Sequence, residues 1–346
     1  MSESPANTSP VSPIKQFTRR DLAVLGGAGV ATVLGTRLAY DAYRRTPVFL
    51  ARNQQYDGAL VRTIRDGLLT VGFDAAAIKG KKVLLKPNLV EPTRSCPQMT
   101  THPAVILAAA EVFRIWGAEV VVGEGPGHVR DTDLALVESG VRDALDSLKL
   151  TFEDLNYQEV GFVKNRGRRS KLPGFFFPRS VLEADLIVSL PKMKTHHWVG
   201  VTASLKNMYG VIPGIKYGWP KNVLHHNGIP ETVFDINASL PKTIAIVDGI
   251  ECMEGDGPIL GSAKQMGLVA VGLSQTAVDA TLCRIMGMAP EKIPYLDLAG
   301  AALGPVADRL ITQRGERWEP LFSPFKILNK PHLIDMRGGG DGPLVS

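Results

Sequence analysis

Apolar positions in residues 57–71 recur at Leu60, Ile64 and Leu68, a spacing that predicts an amphipathic helix with one buried face. The run KVLLK at 82–86 predicts a compact buried strand, stopped by Pro87. Pro103 heads an apolar helix expected to reach residue 116, and Gly117 ends it. A β-branched run at 118–122 predicts the next strand, leading into the glycine-rich segment 123–127, after which Asp131 or Thr132 can cap a helix. Further buried runs at 185–190, 243–248 and 267–272 predict strands, with helices at about 203–210, 229–240, 275–287 and 290–303 between or after them. Strands apolar on both faces, alternating with helices, predict an α/β fold with a mainly parallel, doubly wound sheet. Residues 151–180 break this rhythm and predict a small β-rich insertion.

The two ends differ from the body. Residues 1–14 are rich in Ser and Pro and too polar to pack. Arg19 and Arg20 then precede the weakly apolar run LAVLGGAGVATVLG at 22–35, too short to span a bilayer comfortably. Polar tail, arginine pair and short apolar run, in that order, have the form of a twin-arginine export signal. The organisation expected is a tail with signal or anchor at 1–45, a single α/β domain at 50–320 and a C-terminal extension at 321–346. The expected location is the periplasm or the outer face of the cytoplasmic membrane. The twin-arginine export machinery is then a partner, and the membrane is touched only through an uncleaved leader.

Charge changes the picture less than the totals suggest. The chain carries 39 Lys and Arg against 34 Asp and Glu. Six of those bases and three of those acids lie in residues 1–45, leaving a net charge of +2 on the body. With aromatic residues at 7%, neither a basic surface nor a stacking platform for nucleic acid is evident. Cys96, Cys252 and Cys283 stand far apart with no C-x-x-C, so no disulfide framework, structural zinc site or iron–sulfur cluster is expected from this chain alone. Cys252 reads as a buried thiol. The segment 123–127 lacks the third glycine of a dinucleotide fingerprint, since His128 stands in its place. No nucleophile elbow, P-loop or zinc-protease helix motif is present.

Ligands of doubly wound sheets bind beyond the carboxyl ends of the strands. Several polar segments are expected there: Lys86-Pro87-Asn88, the run 191–197 with Lys192, Lys194, Thr195 and His196, the segment 204–210 with Lys206 and Asn207, and the segment 248–261 with Asp248 and Glu254. Lysines converging on one rim repel unless an anion or carboxylates sit between them. Lys86, Asn88, Lys192, Lys194, Thr195, Lys206 and Asn207 are therefore candidates to bind a small carboxylate or phosphate. Asp248, Glu254 and His196 are candidates to move protons, with Glu124 among the balancing acids.

The motifs K-P-N at 86–88, T-H-P at 101–103, L-P-K-x-K-T-H at 190–196, S-x-K-N-x-x-G at 204–210 and D-G-I-x-x-M-E-G-x-G-P at 248–258 resemble, in order, the family catalogued as domain of unknown function 362. Many members carry ferredoxin-like cysteine segments that this chain lacks. The resemblance marks residues without naming a reaction.

The adjacent pairs His196-His197 and His225-His226 allow another arrangement. One histidine from each pair with a carboxylate such as Asp248, Glu254 or Asp279 would make a facial triad for a divalent metal. His196, His225 and Asp248 are thus metal candidates, against a reading as hydrogen-bonding or anion-binding groups. The leading expectation is an exported protein that binds and acts on a small anion. The alternatives are a binding or cofactor-delivery protein without turnover, and a metal-dependent redox enzyme.

Overall fold

The computed structural model describes residues 45–91, 94–338 and 342–345, so the leader reading lies outside the described residues. Strands β1 (Thr46–Ala51), β2 (Lys82–Pro87), β3 (Glu119–Glu124) and β4 (Thr151–Asp154) come first, followed by the hairpin β5 (Val160–Lys164) and β6 (Gly174–Pro178). Next are β7 (Leu186–Leu190), β8 (Lys192–His196) and β9 (Gly200–Thr202), then β10 (Thr243–Glu254), β11 (Ser262–Gly272) and β12 (Ile311–Gly315). The longest helices among the described residues are α1 (Leu60–Thr70), α2 (Pro103–Ile115), α3 (Ile229–Ser239) and α4 (Gln275–Ile285).

The main sheet runs β12-β1-β11-β10-β7-β2-β3-β4, with β8 and β9 alongside β10. From β4 to β10 every pairing is parallel. Period-two alternation accounts for the apolar strands. Val83 and Leu85 pack with α1 and α2 on one face, and Leu84 packs into the core on the other. Likewise Leu186, Val188, Ile244 and Ile246 face the first core, whereas Ile187, Ala245 and Val247 face the second. A strand buried on both faces has no polar position to spare, hence the continuous runs. Each such Val, Leu or Ile contributes about 1.5–3 kcal/mol by leaving water.

Four expectations are corrected. The run at 267–272 belongs to β11, which is antiparallel to β10, not another parallel strand. Asp248 does not end its strand. β10 continues through a register shift at Gly249/Glu251 to Glu254, because β8 and β11 flank it and satisfy its backbone there. Residues 192–196, read as a loop, form β8, with all five side chains buried. The insertion is narrower than 151–180, since Thr151–Asp154 joins the main sheet. The β5–β6 hairpin forms the separate part, burying Phe175 and Phe177 while Phe162 and Phe176 face out. Among the described residues no helix is long and apolar enough to cross a membrane.

Candidate functional site

A cavity of about 790 Å³, partly continuous with solvent, opens beyond the carboxyl ends of β2 and β3. Lys86 and Asn88 come from the end of β2, and Glu124 and His128 from the end of β3 and its loop. Lys194 and His196 lie on β8, and Thr202 on β9. A short helix, Ser204–Asn207, brings Lys206 and Asn207, and Tyr209, Lys221 and His225 follow from the next segments.

The helix that carries Lys206 is only four residues long. Asp279, buried on α4, caps it, accepting from the Ser204 and Leu205 backbone N–H groups at 2.8 and 2.9 Å. Asp279 is thus a capping group and no metal ligand, and burial raises its carboxyl to about 7.

Lys86 sits at the base of the cavity with 1% of its surface exposed and donates to Glu124, to Asn207 Oδ1 at 2.9 Å and to the Pro87 carbonyl at 2.7 Å. Asn207 returns its amide to the Lys86 carbonyl and to Ser189 Oγ. Burial pushes Lys86 down and Glu124 up, and each pulls the other back toward its charged form. Gly210 makes this packing feasible: a Cβ there would overlap Glu124 Oε1 and Lys86 Nζ. Its carbonyl accepts from the Gly125 N–H, which also donates to Glu124 Oε1 at 3.0 Å.

Three more lysines surround this pair. Lys194 donates to the Met99 and Pro258 carbonyls at 2.8 and 3.2 Å. Lys221 donates to the Gly125 and Tyr209 carbonyls at 2.7 and 2.9 Å. Lys206 Nζ lies 3.6 Å from the Tyr209 ring centroid, a cation–π contact. Burial, aggravated by neighbouring lysines, lowers Lys194 well below the usual lysine range and brings Lys206 and Lys221 to about 7. Glu124 is the carboxylate lining the cavity among the described residues. The lysines therefore outnumber the acid, which favours an anion.

The histidines add donors without fixed charge. His196 Nδ1 accepts from the Trp198 backbone N–H at 3.1 Å, which leaves the neutral ring's proton on Nε2. Burial first, then Lys206 and its neighbours, keep His196 well below the usual histidine range. The same causes bring His225 down to about 4. Two polar atoms in the lining are buried without a partner, Asn88 Oδ1 and Thr202 Oγ1. An unsatisfied buried polar group costs about 1–3 kcal/mol, so these two mark where a ligand would bond.

The rim expected from sequence splits in two. Lys86, Asn88, Lys194, His196, Lys206 and Asn207 meet in the cavity. Lys192, Thr195, Asp248 and Glu254 do not line it. Lys192 and Asp248, both fully buried, pair at 2.6 Å. Asp248 also accepts from Tyr56 O–H at 3.0 Å and from the His102 and Ile250 backbone N–H groups at 2.9 and 3.3 Å. His102 stacks on Tyr56 with ring centroids 3.7 Å apart and caps α2 through Nδ1. With its acceptors engaged, Asp248 joins β10 to α2, and the T-H-P motif supplies the other half of that joint. Glu254 accepts from the Lys326 backbone N–H at 3.0 Å, and Thr195 donates to the Gly255 carbonyl at 2.9 Å.

The His196, His225 and Asp248 triad does not assemble, since Asp248 lies outside the cavity the two histidines share. Among the described residues no group of three or more His, Cys, Asp or Glu side chains is placed to hold a metal ion. Burial raises the Cys252 thiol, leaving it a packing residue. Tyr56, Thr202, Tyr209 and Lys221 escaped the sequence reading, and His102 entered it only as the middle of the T-H-P motif, with no role assigned. Tyr56 and Lys221 stand in segments with no periodicity, and the left-handed backbone of Lys221 (φ 68°) leaves no trace in its residue type.

Over 255 residues the chain is 29% identical to a thylakoid-associated protein, sll1697, of Synechocystis sp. (strain PCC 6803), covering 72% of this chain and 77% of that one. Among solved structures it is similar to the lactate racemase apoprotein of Thermoanaerobacterium thermosaccharolyticum, with a TM-score of 0.43 and 12% identity. That match covers 70% of this chain, which spans 57% of the racemase chain. The model of the family described as Domain of unknown function (DUF362) matches residues 83–284, more than half the chain and all the cavity's lysines, and the chain belongs to that family.

Proposed function

We propose that this cavity binds a small carboxylate or phosphate and acts on it by proton transfer. The observation that carries the reading is that, among the described residues, the lysines of the lining outnumber its one carboxylate, Glu124, beside the unpartnered Asn88 Oδ1 and Thr202 Oγ1. An anion there would relieve the repulsion among Lys86, Lys194, Lys206 and Lys221 and take up the free hydrogen-bonding positions. The groups placed to move protons are Lys206, with its pKa of about 7, and the neutral His196, a donor through Nε2. These replace Asp248 and Glu254 in the roles expected of them from sequence.

The reading is tested by thermal melting of the purified chain with inorganic phosphate or citrate, and by mass spectrometry of any anion retained through purification. Either anion should raise the melting temperature by mass action, and Lys206→Met should shrink that rise. If neither anion shifts melting and the variant matches the parent chain, the lysines form only a wet cleft. A protein that carries the same anion unchanged is the alternative, separated by incubating the retained compound with protein and looking for conversion.

Export completes the proposal. Arg19-Arg20 ahead of the weakly apolar run supports delivery by the twin-arginine machinery to the periplasm or the outer face of the cytoplasmic membrane. Replacing both by Lys should leave the folded protein in the cytoplasm, and unchanged export would refute that route.

A further inference from the structure

Among the cavity's lysines, Lys206 is set apart by what its amine does not bond. Lys86, Lys194 and Lys221 each donate to two or more protein oxygens, which fixes them as positioned donors. Lys206 Nζ makes no hydrogen bond or ion pair with the described residues, and its contact is the face of Tyr209 at 3.6 Å. The capped helix holds the stem of Lys206 while leaving its nitrogen facing the cavity. The same lining carries the unpartnered Asn88 Oδ1 and Thr202 Oγ1 and the Nε2–H of His196.

We infer that Lys206 is a nucleophilic amine that forms an imine with a small anionic carbonyl compound, either a 2-oxo acid or a phosphorylated ketone or aldehyde. The inference rests on the reading of the cavity as an anion site, and it narrows the substrate to anions bearing a carbonyl carbon. The step needs no redox partner. The lone pair of neutral Nζ forms the C–N bond while the C=O π pair moves to oxygen, which takes a proton, and the nitrogen gives one up. The resulting hydroxyl takes a second proton and leaves as water, the remaining nitrogen lone pair closing the C=N bond. Added water reverses the sequence. Lys194 and Lys221 hold the anionic group, and His196 Nε2–H and Thr202 Oγ1 are available to the oxygen that becomes water. Desolvation and Lys86 keep the free base present near neutrality, as for other imine-forming lysines. Tyr209 gives the protonated imine the same ring face that the ammonium has.

The test is reductive trapping of the full chain with sodium cyanoborohydride, using pyruvate in one arm and dihydroxyacetone phosphate in the other. Peptide mapping locates the adduct, and phosphate-dependent melting is measured on the same samples. One adduct per chain on Lys206 is expected with at least one probe, and the arm that gives it tells a 2-oxo acid from a phosphorylated carbonyl. Lys206→Met should abolish it. Lys206→Arg, which keeps the cation over Tyr209, should abolish it while retaining the phosphate-induced rise in melting. Adducts spread over surface lysines and unchanged in both variants overturn the inference. A phosphate shift with no adduct in either arm overturns the imine and leaves the anion site standing. Absence of both overturns the two together.

Discussion

Glu124→Gln is the sharpest probe of the electrostatics around which the cavity is built. Its two oxygens face two different donors, Lys86 Nζ at Oε2 and the Gly125 N–H at Oε1. An amide offers one oxygen and one NH2, so Gln must turn a donor toward one of those donors whichever way it is placed. At the same time it removes the negative charge opposite a lysine with 1% of its surface exposed, beside Lys221. Breaking a buried pair in this way costs about 3–5 kcal/mol. Lys86 can limit the loss by releasing its proton, at about 1.4 kcal/mol per unit of pKa, which favours the lower end. A loss of about 3 kcal/mol in a folded body of about 300 residues lowers Tm by about 5 °C. The sign with pH also follows. Without Glu124, Lys86 falls further below the ordinary lysine value, so above that lowered pKa the unfolded chain binds more protons than the folded one. Stability of the variant relative to the parent then rises with pH, and the deficit is greatest near neutrality and smaller near pH 9. Calorimetric melting of both proteins across this range is the assay. A variant within about 0.5 kcal/mol of the parent at pH 7, or a deficit that grows toward pH 9, would refute the reasoning. The paired Lys86→Met, Glu124→Met replacement should recover much of the loss, because no buried charge is left alone.

Other expectations follow from the same geometry. Asp248→Asn should lower stability by about 3 kcal/mol or more, since it leaves buried Lys192 without its counter-ion, while the phosphate-induced melting shift stays unchanged; a selective loss of that shift would return Asp248 to the binding site. Gly210→Ala should lower Tm and weaken phosphate binding, because its Cβ would press into the Glu124 and Lys86 side chains, and unchanged melting and affinity would contradict the packing described. Sulfate, whose charge is constant, should raise Tm more at about pH 6 than at about pH 9, because Lys206 and Lys221 lose their protons around pH 7. Without anion the sign reverses: from about pH 7 toward the unfolded lysine value of 10.5 the unfolded chain binds more protons, so these two lysines add stability as pH rises. Melting curves with and without sulfate check both signs.

Much of the architecture was legible because burial on both faces imposes a continuous pattern. The runs at 82–86, 118–122 and 185–190 appear as β2, β3 and β7, and the helix expected at 103–116 appears as Pro103–Ile115. Asp131 proves to be the cap, accepting from the Leu134 N–H at 3.0 Å. The site was half legible. Lys86, Lys194, Lys206 and Asn207 were found by the rule that strand ends carry ligands. That rule misplaced Asp248, because β10 runs beyond the point where its apolar pattern stops. Nothing in the sequence told Lys192 from Lys194, both expected to bind the anion, since a buried lysine is recognisable only by its partners. Those partners, Asp248 for Lys192 and the Met99 and Pro258 carbonyls for Lys194, lie more than fifty residues away in the chain. Thr202 carries no unusual pattern and becomes visible only as an unpaired hydroxyl in a cavity wall.

The central claim is that the lysines of this cavity act together on one anion, and isothermal titration of inorganic phosphate into the full chain tests it most directly. Saturable binding at one site per chain is expected, weakened about tenfold or more in Lys194→Met and in Lys206→Met, the scale of one lost charge-assisted contact of about 1.5–3 kcal/mol. Both variants should retain the fold by far-ultraviolet circular dichroism. Binding of equal strength in the parent and both folded variants, or no saturable binding in the parent, would contradict the account.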